Sequence, residues 1–228
     1  MTNEYELLDN GFIRLDAVCA DDLSVVNSAR VSFGKKIEEL SPADKGLIGF
    51  LMREKHGTPF EHNFFRFHIS APIFVVREWF RHRIGWSYNE YSGRYSQLAT
   101  EAYVPELDKV RSQVGKPGSY TFETMSSELG EEVISIMQDA YNNSFHTYEE
   151  LLNLGVAKEL ARNVVPVATY TEFYATTNAR ALMNFINLRA HETAQYEIRV
   201  YAKTLAEILK EHMPETYAAF EQNNFEAP

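Results

Sequence analysis

The stretch Glu78-Trp79-Phe80-Arg81-His82-Arg83-Ile84-Gly85-Trp86-Ser87-Tyr88-Asn89-Glu90-Tyr91-Ser92-Gly93-Arg94-Tyr95 organises the chain. Its guanidinium groups are planar forks of donors that meet phosphate or carboxylate bidentately. Aromatic faces beside them suit a planar heterocycle. The chain as a whole has a formal net charge of -10, so this local basic density runs against the global balance and points to a bound anion. A solvated, salt-bridged surface turn is the competing reading. Trp79, Phe80, Trp86, Tyr88, Tyr91 and Tyr95 weigh against it, because a solvated face has no need of them.

Outward from this stretch, composition sets the bounds. A chain of 228 residues with 45% hydrophobic and 13% aromatic residues buries a real core and is not disordered. The acidic balance argues against a general nucleic-acid or anionic-membrane binder. Cys19 is the only cysteine, so there is no disulfide framework and no cysteine-based zinc site, which suits the cytoplasm. Cys19 itself reads as a small core residue. The first residues are acidic and lack an apolar core, unlike a signal peptide, and no apolar run is long enough to span a bilayer. No repeat and no clear linker interrupts residues 1–228, which read as one domain.

Local patterns then place the elements. Gly11 to Cys19 alternates as a first strand, and Asp21 or Asp22 caps a helix that runs to about Val31 and stops at Gly34. Ser41 and Pro42 mark the N-cap and first position of a helix over 45–55, with Leu47, Ile48, Leu51 and Met52 on one stripe. Residues 56–62 read as a turn. Residues 63–70 read as a strand with Phe65, Phe67 and Ile69 on one side. His56, His62 and His68 recur every sixth residue, but strand geometry aligns only the last two, so local hydrogen bonding is favoured and no metal is expected. Pro72 opens an apolar helix to Phe80, and the signature continues as a loop. Residues 98–127 are loop-rich, either a surface insertion or a lid. A long helix follows over 128–154 with a core stripe of Val133, Ile134, Ile136, Met137, Tyr141 and Phe145. A short helix over 157–165, a strand over 169–177, a helix over 179–188 capped by Asn178 and an amphipathic helix near 191–212 complete the chain. The tail after Pro214 either packs or frays.

The signature stretch resembles that of the flavin-dependent thymidylate synthases, which begins Arg-His-Arg and leads to a serine. Arg81-His82-Arg83 and Asn89-Glu90-Tyr91-Ser92-Gly93-Arg94-Tyr95 carry the likeness, with one extra residue around Gly85-Trp86. His56-Gly57-Thr58-Pro59-Phe60-Glu61-His62, Leu160-Ala161-Arg162, Asn178-Ala179-Arg180, Leu182-Met183-Asn184-Phe185 and Asn187-Leu188-Arg189-Ala190 extend it over most of the chain in the family's order. The resemblance implies a mixed α+β fold, a single domain with a central, largely antiparallel sheet flanked by long helices. It implies conversion of dUMP to dTMP, with methylenetetrahydrofolate as one-carbon donor and NADPH reducing FAD. It also implies a homotetramer whose sites are shared between subunits.

By the same resemblance Glu78, Trp79, Phe80, Arg81, Glu90, Tyr91, Ser92, Gly93, Arg94, Arg162 and Arg189 line the dUMP site. His56, Thr58, Arg81, His82, Arg83, Glu90, Asn178, Ala179, Arg180 and Asn184 contact FAD. Glu78 stands where some members have glutamine. Arg189 takes the position of the cation near uracil N3 and O2, which activates C5 by preorganised electrostatics in place of a cysteine nucleophile. Ser92 lacks a visible base, so it is read as a phosphate ligand with Arg94. There is no Gly-x-Gly-x-x-Gly and no phosphate loop, so arginines take the work of a helix N-terminus. A flavin reductase without methyl transfer and a single-stranded nucleic-acid binder remain as alternatives, the second disfavoured by the acidic balance.

Overall fold

The computed structural model describes residues 4–117 and 119–228. In chain order the elements are β1 (Glu4–Leu7), β2 (Gly11–Cys19), α1 (Asp22–Arg30), α2 (Pro42–Arg53), α3 (Thr58–Glu61), β3 (Phe64–Pro72), α4 (Ile73–Trp79) and β4 (Trp86–Glu90). They continue with β5 (Arg111–Lys116), β6 (Ser119–Thr124), α5 (Ser127–Asn153), α6 (Lys158–Ala161), β7 (Tyr170–Asn178), α7 (Ala179–Arg189), α8 (Tyr196–His212) and α9 (Pro214–Gln222).

Five strands form one sheet in the order β1-β2-β3-β7-β4, each neighbour antiparallel. Period-two alternation decides its faces. Ile13, Leu15, Phe65, Phe67, Ile69, Phe173 and Ala175 point into the core, where α8 buries Ile198, Tyr201, Ala202, Leu205 and Leu209. The Tyr201 hydroxyl donates to the Ser70 carbonyl at 2.8 Å, and the His212 ring meets Phe65 edge-on, so α8 runs along β3. The opposite face is polar. Arg14 Nη2 donates to His68 Nδ1 at 2.7 Å, His68 Nε2 lies 2.8 Å from Glu172, and the His68 ring stacks on Tyr174. His56 instead stacks on Phe50. Among the described residues no group of three or more His, Cys, Asp or Glu side chains converges as metal ligands.

Caps set several helix bounds where local chemistry requires them. Asp21 accepts from the Ser24 amide, and Gly34 closes a short 3-10 turn after α1 with φ +63°. Asp44 accepts from both the Ser41 amide and hydroxyl, so α2 starts at Pro42 with Ser41 as its N-cap, as expected, and ends at Arg53. Pro72 stands at the start of the expected apolar helix as its N-cap. It ends β3 opposite Tyr170 and caps α4, because its ring nitrogen cannot extend the ladder.

Other expectations fail for reasons of tertiary packing. Residues 58–61 make one helical turn within the expected loop. Residues 84–90 do not stay a loop, since Trp86–Glu90 adds an edge strand to β7. Residues 98–127 contain the paired strands β5 and β6. The helix expected over 157–165 breaks into α6 and a 3-10 turn, and α8 begins at Tyr196 rather than near His191. β1 is not legible in the sequence because four residues carry little periodicity. Cys19 is exposed at the end of β2, not a core residue. The α5 stripe is also shallower than expected: Phe145 and Tyr148 are buried, but Ile136 is 60% exposed. The tail after Pro214 packs as α9, with Thr216, Ala219 and Phe220 buried.

Candidate active site

The two sequence segments at 78–95 and 178–189 meet across β4, β7 and α7. Gly85 makes the junction. Its φ of +74° suits glycine, and its carbonyl accepts from the Thr177 hydroxyl at 3.0 Å. A Cβ there would stand 2.7 Å from Ala181 Cβ and 2.9 Å from Asn178 Nδ2. This turn seats β4 against the start of α7.

At the other end of α7, Arg189 reaches the end of α4. Its Nη1 donates to Glu78 Oε2 at 2.7 Å, its Nη2 to the Glu78 carbonyl at 3.2 Å and its Nε to His82 Nε2 at 3.0 Å. The His82 ring tilts against Phe185 at 4.7 Å. Burial first, then the charges of Arg189 and Arg81, lowers the His82 pKa to about 4, so the ring is neutral near pH 7. The arrangement is a fixed, largely buried guanidinium, suited to stabilising negative charge on a ligand.

Ser92, Gly93 and Arg94 form a tight turn after β4. The Ser92 hydroxyl accepts from the Arg94 amide at 3.3 Å, and the Ser92 carbonyl accepts from the amides of Tyr95 and Ser96. Arg162 approaches this turn: a Cβ on Gly93 would stand 3.2 Å from Arg162 Cδ. Arg94 Nε donates to Glu159 at 3.1 Å and Lys158 Nζ to the Tyr95 carbonyl. Glu90 accepts from the Thr171 hydroxyl at 3.0 Å. Desolvation holds its pKa above the ordinary value, opposed by that bond and by Arg162. Tyr91, Thr171 and Glu172 line a neighbouring cavity of about 450 Å³. No serine base stands at Ser92 among the hydrogen bonds of the described residues; its neighbours are donors, which suit an anion.

Asn178, Arg180 and Asn184 line a cavity of about 760 Å³ with Ile84, Gly85, Ala181 and Lys55. Arg180 Nη1 donates to Glu61 at 2.6 Å and its Nε to the Pro228 carbonyl at 2.6 Å. Amide and guanidinium donors beside apolar side chains fit a ligand that combines phosphates with a planar ring.

Some expected residues stand elsewhere. The Trp79 side chain is fully buried against Trp86, Phe173, Phe185 and Tyr201, so its contribution is to the core. Ala179 is likewise buried, and its amide donates to the Asn63 carbonyl. Phe80 packs on Tyr88 and Phe173. Arg81, Arg83, Thr58 and His56 are exposed. Glu61, Glu159 and Thr171 also join the site, although only Glu61 falls in a segment that carries the family likeness. They lie far in sequence from their partners, and no local pattern marks these pairings.

A family model described as Thymidylate synthase complementing protein matches residues 15–215. A flavin-dependent thymidylate synthase of Thermosipho africanus is 48% identical over 217 residues, covering 95% of this chain and 93% of its own. One of Streptomyces coelicolor is 44% identical, with 98% and 96% covered. Among solved structures, a UMP/dUMP methylase PolB from Streptomyces cacaoi bound with 5-Br UMP superposes with a TM-score of 0.90 at 40% identity. It covers 98% of this chain and 99% of its own. With 5-Br dUMP bound, the same methylase gives a TM-score of 0.89. With the paired segments 78–95 and 178–189 assembled as described, the chain belongs to the flavin-dependent thymidylate synthase family.

Proposed function

We propose that this single domain converts dUMP to dTMP with methylenetetrahydrofolate as one-carbon donor, and that Arg189 is the cation that activates the pyrimidine. The observation that carries this reading is the fixed guanidinium of Arg189, held on three nitrogens by Glu78 and His82. A permanent positive charge aimed at N3 and O2 stabilises electron density on the ring and makes C5 nucleophilic without a thiol. Ser92 and Arg94 hold the nucleotide phosphate, and Arg162 supports them. Glu90, Tyr91 and Gly93 shape the neighbouring wall, and the exposed Arg81 reaches the same nucleotide.

Arg180, Asn178 and Asn184 hold FAD, with Arg83, Thr58 and His56 beside them. Arginine supplies the phosphate contacts that a glycine-rich loop gives elsewhere. When bound, FAD supplies the hydride that completes the methyl group and is reduced again by NADPH. The protein works in the cytoplasm as a homotetramer in which neighbouring subunits complete each site.

The test is dTMP formation from dUMP and methylenetetrahydrofolate, with NADPH and FAD each supplied or omitted. Product is expected only when both are present. Arg189→Ala is expected to lower kcat by about 100-fold or more, as for loss of a preorganised charge, with flavin still bound. Wild-type turnover in that variant removes Arg189 from its role. The methylases that superpose on the chain act on UMP as well, so UMP is the second substrate to assay in parallel.

A further inference from the structure

Glu78 holds the Arg189 guanidinium at Nη1 through its carboxylate and at Nη2 through its carbonyl, which leaves the Nε edge to be fixed. The contact at Nε fixes that third edge. A guanidinium carries only donors, so the 3.0 Å bond from Arg189 Nε requires a lone pair on His82 Nε2. The imidazole proton then sits on Nδ1. The ring is braced by Phe185, and the His82 carbonyl accepts from the Tyr88 hydroxyl at 2.8 Å, which ties this turn to β4.

We infer that His82 is a positioning residue for Arg189, a neutral acceptor that fixes the plane in which the guanidinium meets the pyrimidine. This rests on the reading of Arg189 as the pyrimidine-facing cation. The charged groups around the ring agree with it: Glu78 on α4 takes the opposite side of the same guanidinium, Arg81 stands on the ring's own turn and Arg189 comes from α7. Protonation of His82 would place a donor against a donor and release Arg189. The family resemblance assigned His82 only to FAD.

The test is a double-mutant cycle on the flavin-loaded enzyme, reading kcat, the KM for dUMP and FAD affinity by flavin fluorescence. His82→Ala is expected to lower kcat by about 10- to 100-fold, the scale of a misplaced catalytic group, with FAD affinity changed less than about threefold. His82→Gln offers an acceptor oxygen near the Nε2 position and is expected to restore most of kcat; His82→Asn is too short and is not. Arg189→Lys has no Nε–H, so His82→Ala is expected to add nothing in that background. In wild type, kcat falls on the acid side as the ring protonates, and His82→Gln flattens that limb. Loss of FAD in His82→Ala, or effects that multiply in the double variant, would overturn the inference and assign the imidazole to the flavin. Full turnover in Arg189→Ala would instead remove the reading beneath it.

Discussion

A charge contributes to catalysis in proportion to how firmly it is held and how poorly water screens it. Arg189 meets both conditions because Glu78 and His82 occupy its donors and its side chain is largely buried. The same burial makes His82 a stability probe. Its folded pKa, near 4, lies below the unfolded value of 6.5. As pH falls from about 6.5 to 4, the unfolded chain takes up a proton that the folded chain refuses, and stability is lost. The loss is on the order of 1–3 kcal/mol. Urea midpoints at pH 7 and pH 5 should therefore differ more in wild type than in His82→Gln; equal differences would refute the depressed pKa. Cys19 offers the opposite case. It is exposed at the rim of the sheet, so Cys19→Ala should retain dTMP synthesis and shift stability by less than about 0.5 kcal/mol. Complete loss of synthesis with an intact fold would reinstate a thiol mechanism.

Among the elements, α9 shows how a short helix is fixed by a residue from the far end of the chain. Asp22 is buried and accepts from the amides of Glu215 and Thr216 and from the Thr216 hydroxyl. It therefore caps α9 although it lies inside α1. Burial raises its pKa and these three bonds oppose the rise. Asp22→Ala leaves buried donors without an acceptor and should cost about 1–3 kcal/mol, read as a lower urea midpoint with an unchanged far-ultraviolet spectrum. An unchanged midpoint would mean that water replaces the carboxylate at no cost. The strand β4 teaches a related lesson. Trp86–Glu90 reads locally as a loop of mixed polar and aromatic residues, and it becomes a strand only because β7 offers an unpaired edge.

At the scale of the molecule, one face of the central sheet packs on helices of the same chain and the other presents the Arg14–His68–Glu172 network. The 27-residue α5 buries only Gly130, Phe145 and Tyr148 and leaves Ile136 open. Exposed apolar groups of this kind are commonly covered in assemblies. The proposed tetramer is checked by sedimentation equilibrium, which should return four protomers of 26.2 kDa each. A monomeric mass with full activity would show that one chain holds a complete site.

The sequence by itself determined the family, through its separated motifs, and most of the helices and strands. Caps such as Asn178 and Ser41 act within a few residues. Strand alternation also placed Phe65, Phe67 and Ile69 in the core. Only the tertiary structure decided what long-range pairing controls. It turned Trp79 inward, turned Cys19 outward, recruited Glu61 to Arg180 and set His82 against Arg189. His82 and Arg189 lie 107 residues apart. Propensity and spacing act over one or two turns of chain, whereas the direction of a side chain at a site depends on which distant element packs beside it.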